Sequence, residues 1–365
     1  MIDRVKSVIH LNNLWHNYQL LQNIHHLKEV MAVVKSDAYG HGAKEVAAFL
    51  EEKGCRYFAV TDLIEAIELR EAGIESMILI LGKTSPKHAH LLYQYRLTQT
   101  VDSYEYAEAL NHQALPIDIH LVLDTGMSRF GLYCHREENL LKTIEEIHLI
   151  LRLPYLNQCG IYTHFAIADG ENDAFTKQQF DMFKRVVDQL EGEGIDLGKK
   201  HCSNSASILK FPEHAMNMVR AGIAMYGYPP IQSKLLFKPV MSVFAKVIAM
   251  RNLVPGDVVS YGLTYHVTKP MRVASIAIGY GDGYDRLFSN NDYFLYHKQK
   301  LEVVGRVCMG VTMVDASDCA VTIGEFVEVF GEEKPLAPMA EAIGTITYEL
   351  LTNMAKKRVK FIYDK

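Results

Sequence analysis

Apolar and polar residues alternate along the first 230 or so residues in two rhythms. Short apolar, β-branched runs lie at 29–34 (EVMAVV), 57–61 (YFAVT), 77–81 (MILIL), 97–101 (LTQTV), 117–123 (IDIHLVL), 159–165 (CGIYTHF), 200–205 (KHCSNS) and 217–223 (NMVRAGI). Between them the spacing is helical, as in AKEVAAFLEEKG (43–54), DLIEAIELREAG (62–73) and TKQQFDMFKRVVDQLEGEG (176–194). Strands alternating with helices predict parallel βα units, and eight within about 220 residues fit a closed (β/α)8 barrel better than an open sheet. The fourth and seventh runs are weak in strand propensity. After YGYPPIQSKLLFKP (226–239), rich in proline and turn residues, the texture changes. Short strand-like runs separated by Gly, Pro and Asp turns predict a second, mostly antiparallel β domain. The expected division is 1–235 for the barrel and 236–365 for the β domain, with SVIHL (7–11) able to bring residues 1–11 into the second domain.

Composition narrows the class without changing this picture. Of 365 residues, 49% are hydrophobic and 22% charged, the proportions of a globular protein with a sizeable core. Net charge is −5 and the basic residues are scattered, so no nucleic-acid or membrane-surface footprint stands out. The densest basic run, KKRVK (356–360), reads as a solvated face. MIDRVKSVIHLNN has neither the apolar centre nor the cleavage site of a signal peptide, and no apolar stretch approaches a membrane span. Six widely spaced cysteines without a C-x-x-C predict reduced thiols and a cytoplasmic location. Sixteen histidines, a pair at 25–26 included, contain no H-E-x-x-H, so no metal site is expected.

A barrel carries its functional groups at the C-terminal ends of its strands. That rule singles out Lys35, Arg129, His164, Asn204–Ser205, and Arg220 with Gly222–Ile223. The last two groups follow strands seven and eight, where barrels commonly hold a phosphate on backbone N–H groups. Lys35 stands at the mouth of the first strand. A lysine is an amine nucleophile only when neutral, and a half-buried pocket disfavours its charged form. Lysine plus a phosphate cradle suggests a Schiff-base lysine for pyridoxal 5′-phosphate (PLP). A lysine snorkelling from a strand end fits the position equally well. His164 alone fits a satisfied core histidine, Arg220 an ion-pair partner, Ser205 a helix N-cap and Tyr261 an aromatic in a β core. GYGDGY (279–284) does not open a βαβ unit, so it is a poor dinucleotide loop. Cys308 has no sequence-level case as a nucleophile.

Taken together, AVVKSDAYGHG (32–42), DTGMSRFG (124–131), THFA (163–166), HCSNSAS (201–207), VRAGIAMYG (219–227), PGDVVSYGLTY (255–265), IGYGDGYDR (278–286), GRVCM (305–309) and GTITYELL (344–351) resemble the alanine racemases. The matches run in the family's order across nearly the whole chain. The resemblance implies PLP-dependent interconversion of L- and D-alanine, which supplies D-alanine for peptidoglycan, by a homodimer with shared active sites. Lys35 would carry the cofactor and act as one acid/base group. Tyr261, from the partner subunit, would be the other, tuned by a relay through His164 to Arg220. Arg220 would face the pyridine nitrogen. Tyr39, Ser205, Gly222 and Ile223 would hold the phosphate, with His164 and Asn204 also at the cofactor. Arg129 and the Met309 N–H would meet the substrate carboxylate, and Tyr280 would stand at the entrance.

Three departures bear on rate and substrate range. Val122 stands where many members have a lysine that positions the arginine matching Arg129. Gly310 replaces the aspartate that usually follows CM. Lys356–Lys357 precede the C-terminal RVKFIY, where an active-site tyrosine is expected nearby. The alternative readings are a serine or broad-specificity racemase, a barrel-type PLP decarboxylase, and a non-catalytic PLP carrier.

Overall fold

The computed structural model describes residues 4–24, 29–354 and 359–364. The eight apolar runs become eight parallel strands: β1 (Val30–Val33), β2 (Tyr57–Val60), β3 (Met77–Ile80), β4 (Thr98–Val101), β5 (Ile117–Asp124), β6 (Leu156–Tyr162), β7 (Lys199–His201) and β8 (Val219–Ala221). They pair in the order β8-β1-β2-β3-β4-β5-β6-β7. Between β7 and β8 there is no ladder, but Met218 N–H donates to the Lys200 carbonyl (3.3 Å) and Arg220 N–H to that of Ser203 (3.0 Å), which closes the barrel. The strands are buried on both faces, so most read as unbroken apolar runs.

The two weak strands are weak because their side chains are polar and internal. Thr98, Gln99 and Thr100 of β4 are buried. Gln99 Nε2 donates to the carbonyls of Gly82 (2.7 Å) and Thr100 (2.8 Å), and the Thr100 hydroxyl bonds that of Tyr162 (3.0 Å). His201 of β7 is fully buried and bonded to Arg220 and His120. Buried polar groups are tolerated when bonded in this way.

Side-chain caps start several of the helices. Asp62 accepts from the N–H groups of Ile64 (2.9 Å) and Glu65 (3.1 Å) at the head of Leu63–Glu71. Ser103 accepts from Tyr106 N–H (3.2 Å) at the head of Tyr104–Asn111. Each such cap is worth about 1 kcal/mol. The long helix Asp173–Gly192 buries Phe180, Phe183, Val186, Val187 and Leu190 along one stripe of the common core. Each fully buried side chain of this kind contributes roughly 1.5–3 kcal/mol.

After the barrel, Met241–Leu253 forms the spine of an antiparallel sheet, pairing with Met271–Ile276 and with Phe326–Phe330. Val5–His10 enters the same sheet, antiparallel to Met241–Leu253 and parallel to Val359–Asp364, with Val5 opposite Ala245 and Val359. Both chain ends therefore lie in one sheet. Asn17 ties the barrel to the connecting segment: its amide donates to Met225 O (3.0 Å) and Lys238 O (2.8 Å), and its Oδ1 accepts from Lys238 N–H (2.9 Å). All six cysteines are free. Among the described residues no helix is long and apolar enough to cross a membrane. His25–His26 and Lys356–Lys357 lie outside the described residues.

Four buried histidines make acid stability a direct readout of the barrel. Burial lowers the pKa of His41 to about 4 and of His120 to about 3, and pushes His164 and His201 well below the ordinary 6.5. The unfolded chain takes up these protons below pH 6.5 and the folded chain does not, so stability is full above pH 6.5 and falls as pH drops towards the folded values. Each such histidine steepens the loss by about 1.4 kcal/mol per pH unit. Denaturant midpoints measured from pH 7 to 4.5 are expected to fall steeply below pH 6.5. A flat profile would mean that these rings are solvated.

Candidate active site

The loop after β1 departs from what its residues prefer. Lys35–Gly40 forms one helical turn in which Ser36, Asp37, Ala38 and Tyr39 all have φ of 52–53°, the left-handed conformation. That conformation costs an L-residue about 1–2 kcal/mol, so four in a row must be imposed by their surroundings. Several bonds impose it. The Glu65 carboxylate accepts from Ser36 N–H (2.6 Å) and from Thr61 N–H at the end of β2 (2.7 Å). Asp37 Oδ1 accepts from Ala43 N–H (2.7 Å). His41 Nδ1–H donates to the carbonyls of Ala38 (2.9 Å) and Tyr39 (3.0 Å). Gly40 (φ +82°) follows, and a Cβ there would lie 2.3 Å from the Leu351 carbonyl. Its lack of a side chain lets helix Thr347–Asn353 close on the turn, and the Tyr348 and Tyr39 rings come to 6.0 Å.

The turn delivers Lys35 and Tyr39 into a cavity of about 460 Å³ at the C-terminal mouth of the barrel. Arg129, His164, Asn204, Ser205, Arg220, Gly222, Ile223 and Tyr348 line it as well. Burial, with the positive charges of Arg129 and Arg220, lowers the Lys35 pKa below its usual value against the opposing pull of Glu65. Proximity to two cations is thus part of what makes the lysine a better amine.

Arg220, buried at the end of β8, donates to His201 Nδ1 (2.8 Å), His164 Nδ1 (3.1 Å) and the carbonyls of Thr163 (2.9 Å), His201 (3.0 Å) and Cys202 (3.2 Å). Arginine has no acceptor, so both imidazoles present a bare Nδ1 to it and carry their proton on Nε2. Burial first, then Arg220, Arg129 and Lys35, keep His164 neutral. The His164–Arg220 leg of the expected relay is formed, and among the described residues the arginine bonds no carboxylate.

Opposite Lys35, Ser205 Oγ accepts from the N–H groups of Gly222 (3.0 Å) and Ala224 (3.3 Å), leaving its own hydrogen to donate. A Cβ on Gly222 would sit 3.1 Å from the Tyr39 hydroxyl and 3.4 Å from Ser205 Oγ. These groups converge on a space that only glycine keeps open, a fitting cradle for a small anion. Asn204 rather than Ser205 caps the helix Ser205–Lys210, accepting from Ala206 and Ser207 N–H (both 3.1 Å), which corrects the cap reading of Ser205.

Arg129 is exposed, with its guanidinium 5.0 Å from the Phe130 ring centre and no hydrogen-bond or ion-pair partner among the described residues. Its loop is shaped by Asp124 Oδ1, which accepts from Gly126 (3.1 Å) and Ser128 (3.0 Å) N–H. Val122 is buried nearby and offers Arg129 no polar contact.

Three of the expected residues are not brought into this cavity by the same chain. Tyr261, Tyr280 and Met309 are 72%, 44% and 58% exposed on the second domain. Their loops are bound together: Ser260 Oγ donates to Arg306 O (2.6 Å), Tyr280 N–H to Cys308 O (3.1 Å) and Gly281 N–H to Met309 O (2.8 Å). Tyr261 stands between left-handed Ser260 (φ 67°) and Gly262 (φ 71°), which push its ring outward.

Sequence reasoning missed Tyr348, Glu65 and His41. Tyr348 lay inside the quoted GTITYELL, but nothing local says that its helix folds back over the barrel mouth.

Comparison with known proteins accounts for both halves. The alanine racemase N-terminal domain model matches residues 9–230 and the C-terminal domain model residues 240–363. Alanine racemase of Clostridium tetani is 40% identical, with 98% of this chain and 95% of that protein covered. The enzyme of Carboxydothermus hydrogenoformans is 38% identical, with 98% and 99% covered. Among solved structures, alanine racemase from Clostridium difficile 630 superposes with a TM-score of 0.93 at 35% identity, covering 100% of this chain and 96% of that one. The Bartonella henselae enzyme with covalently bound pyridoxal phosphate gives 0.88 at 29% identity, with 99% of each chain covered. A barrel domain and a β domain that follows it in the same order are thus shared with these enzymes along the full length. The chain belongs to the alanine racemase family.

Proposed function

We propose that the protein interconverts L- and D-alanine with PLP, in a site completed by a second copy of the same chain, and that it works in the cytoplasm. The observation that carries the two-subunit reading is the separation within one chain. Lys35, His164 and Arg220 share the cavity, while Tyr261, Tyr280 and Met309 stand exposed elsewhere. A racemase needs proton-transfer groups on both sides of the α-carbon, and Lys35 and Tyr261 are held apart within one chain.

The donor set fits PLP: an amine made less basic, an anion cradle across from it, and an arginine for the ring nitrogen. Lys35 would anchor the cofactor, and Ser205, Tyr39, Tyr348 and the backbone at Gly222–Ile223 would hold its phosphate. Bound PLP supplies an electron sink that acidifies the α-proton of an attached amino acid. Lys35, released and neutral, takes that proton on one side. Tyr261 of the partner subunit gives or takes it on the other. Arg220 donates hydrogen bonds without releasing a proton, so a ring nitrogen facing it stays unprotonated. That restrains charge flow into the ring and favours proton return over side reactions. Arg129 and the Met309 N–H of the partner subunit orient the carboxylate.

The test is a racemase assay on L- and D-alanine and on L- and D-serine, with PLP absorbance and native mass taken from the same sample. Dimeric, PLP-loaded protein preferring alanine over serine by more than about tenfold, or roughly 1.4 kcal/mol, is expected. Monomeric protein with full activity would refute the shared site.

A further inference from the structure

The exposed turn that carries Met309 is held from three directions. The carbonyls of Cys308 and Met309 accept from Tyr280 N–H (3.1 Å) and Gly281 N–H (2.8 Å), and Cys308 N–H donates across the turn to Val311 O (2.9 Å). The next carbonyl, that of Gly310, accepts from Arg4 Nη2 at 2.5 Å, which also lies 3.5 Å from Ala277 O. With these carbonyls all engaged, the Met309 N–H has no partner among the described residues.

Arg4 reaches this turn from the other end of the chain. Its own carbonyl accepts from Lys246 N–H (2.9 Å), which fixes its backbone to the sheet. The guanidinium is half-buried and has no carboxylate within 4.0 Å among the described residues, while the buried Asp282 carboxylate lies on the same side of Gly310, 3.8 Å from where a Cβ would stand. Residue 310 being glycine gives it room: a Cβ there would lie 3.1 Å from Arg4 Nη2 and would push the guanidinium by a few tenths of an ångström.

We infer that Arg4 is a positioning residue for the substrate carboxylate: it anchors the Gly310 carbonyl and so steadies the turn whose Met309 N–H is left without a partner, and it adds a positive charge beside that donor. The inference rests on the two-subunit reading above, in which this turn faces the partner's cavity. Both effects act on a carboxylate that is equally charged before and during proton transfer. They therefore bear on binding rather than on the chemical step.

The experiment is steady-state kinetics of the PLP-loaded Arg4→Gln, Arg4→Lys and Gly310→Ala proteins in both directions. Arg4→Gln is expected to raise KM for alanine about fivefold while kcat stays within about twofold, the effect of losing one partly exposed charge-assisted bond. Arg4→Lys recovers most of the loss, and Gly310→Ala, which displaces the guanidinium, raises KM in the same way. PLP absorbance and native mass stay unchanged. Should Arg4→Gln fail to fold, the Gly310→Ala and Arg4→Lys pair decides. A parent that racemises alanine while these KM values do not move overturns this inference alone. A parent that does not racemise alanine overturns the two-subunit reading and this inference with it.

Discussion

Lys35→Ala is expected to leave less than about one part in ten thousand of kcat for alanine in either direction, because it removes both the anchor of the cofactor and one of the two proton carriers. The structure gives this residue its weight. The left-handed turn at 36–39 aims the chain after Lys35 back over the barrel mouth, and burial with Arg129 and Arg220 lowers its pKa. Among the described residues no other lysine lines the cavity. The measurements are racemisation and PLP absorbance after exhaustive dialysis. The variant should lose both, while its thermal unfolding stays close to the parent's, since a half-buried lysine with a lowered pKa contributes little to folding. Retention of even a tenth of the parent's rate would remove Lys35 from the mechanism.

The second large effect is at Tyr261. Tyr261→Phe is expected to lower kcat about 10³-fold in both directions, because each turnover uses both proton carriers whichever enantiomer enters. Its PLP content should not change, since Lys35 and the Ser205–Gly222 cradle are untouched. The two variants together test the shared site. Equal amounts of Lys35→Ala and Tyr261→Phe chains, dissociated and reassociated, yield half mixed dimers. Each of those has one site with both residues intact, and the mixture should recover about a quarter of the parent's activity. No recovery, with mixed dimers present by mass, would place Tyr261 in the cavity of its own chain and refute the exchange. The exposure of Tyr261 argues for exchange: a tyrosine ring pushed into solvent by two positive-φ neighbours is arranged to meet something outside its own chain.

The element pattern was legible from hydrophobic periodicity alone, because strands and helices of this barrel bury continuous apolar runs and single stripes. Each of the eight runs became a strand, and the strand-end rule named Lys35, His164, Ser205 and Arg220, which line one cavity. Boundaries moved by a few residues. The helix expected at 176–194 spans Asp173–Gly192, for example.

What sequence reading left open at Lys35, snorkelling cation or amine nucleophile, turned on neighbours distant in sequence. Arg129 and Arg220 lie far along the chain from Lys35, and they lower its pKa only after the barrel closes. The left-handed turn was not legible at all. Ser, Ala and Tyr have no preference for positive φ and Asp only a modest one, and the turn exists because Glu65, His41 and the helix carrying Leu351 hold it. Tyr348 reached the cavity by the same route, across the domain boundary. Val122 and Gly310 were visible as departures, but their consequences were not: Arg129 without a polar partner, and an arginine from the N-terminus on the Gly310 carbonyl.

By itself, then, the sequence determined the barrel, the second sheet and the cast of chemical residues, since each of these follows from local periodicity and strand-end position. The tertiary structure alone decided which of those residues share a cavity, which protons their rings carry and which stand outside. Those properties depend on charges and hydrogen bonds between groups that only folding brings within a few ångströms.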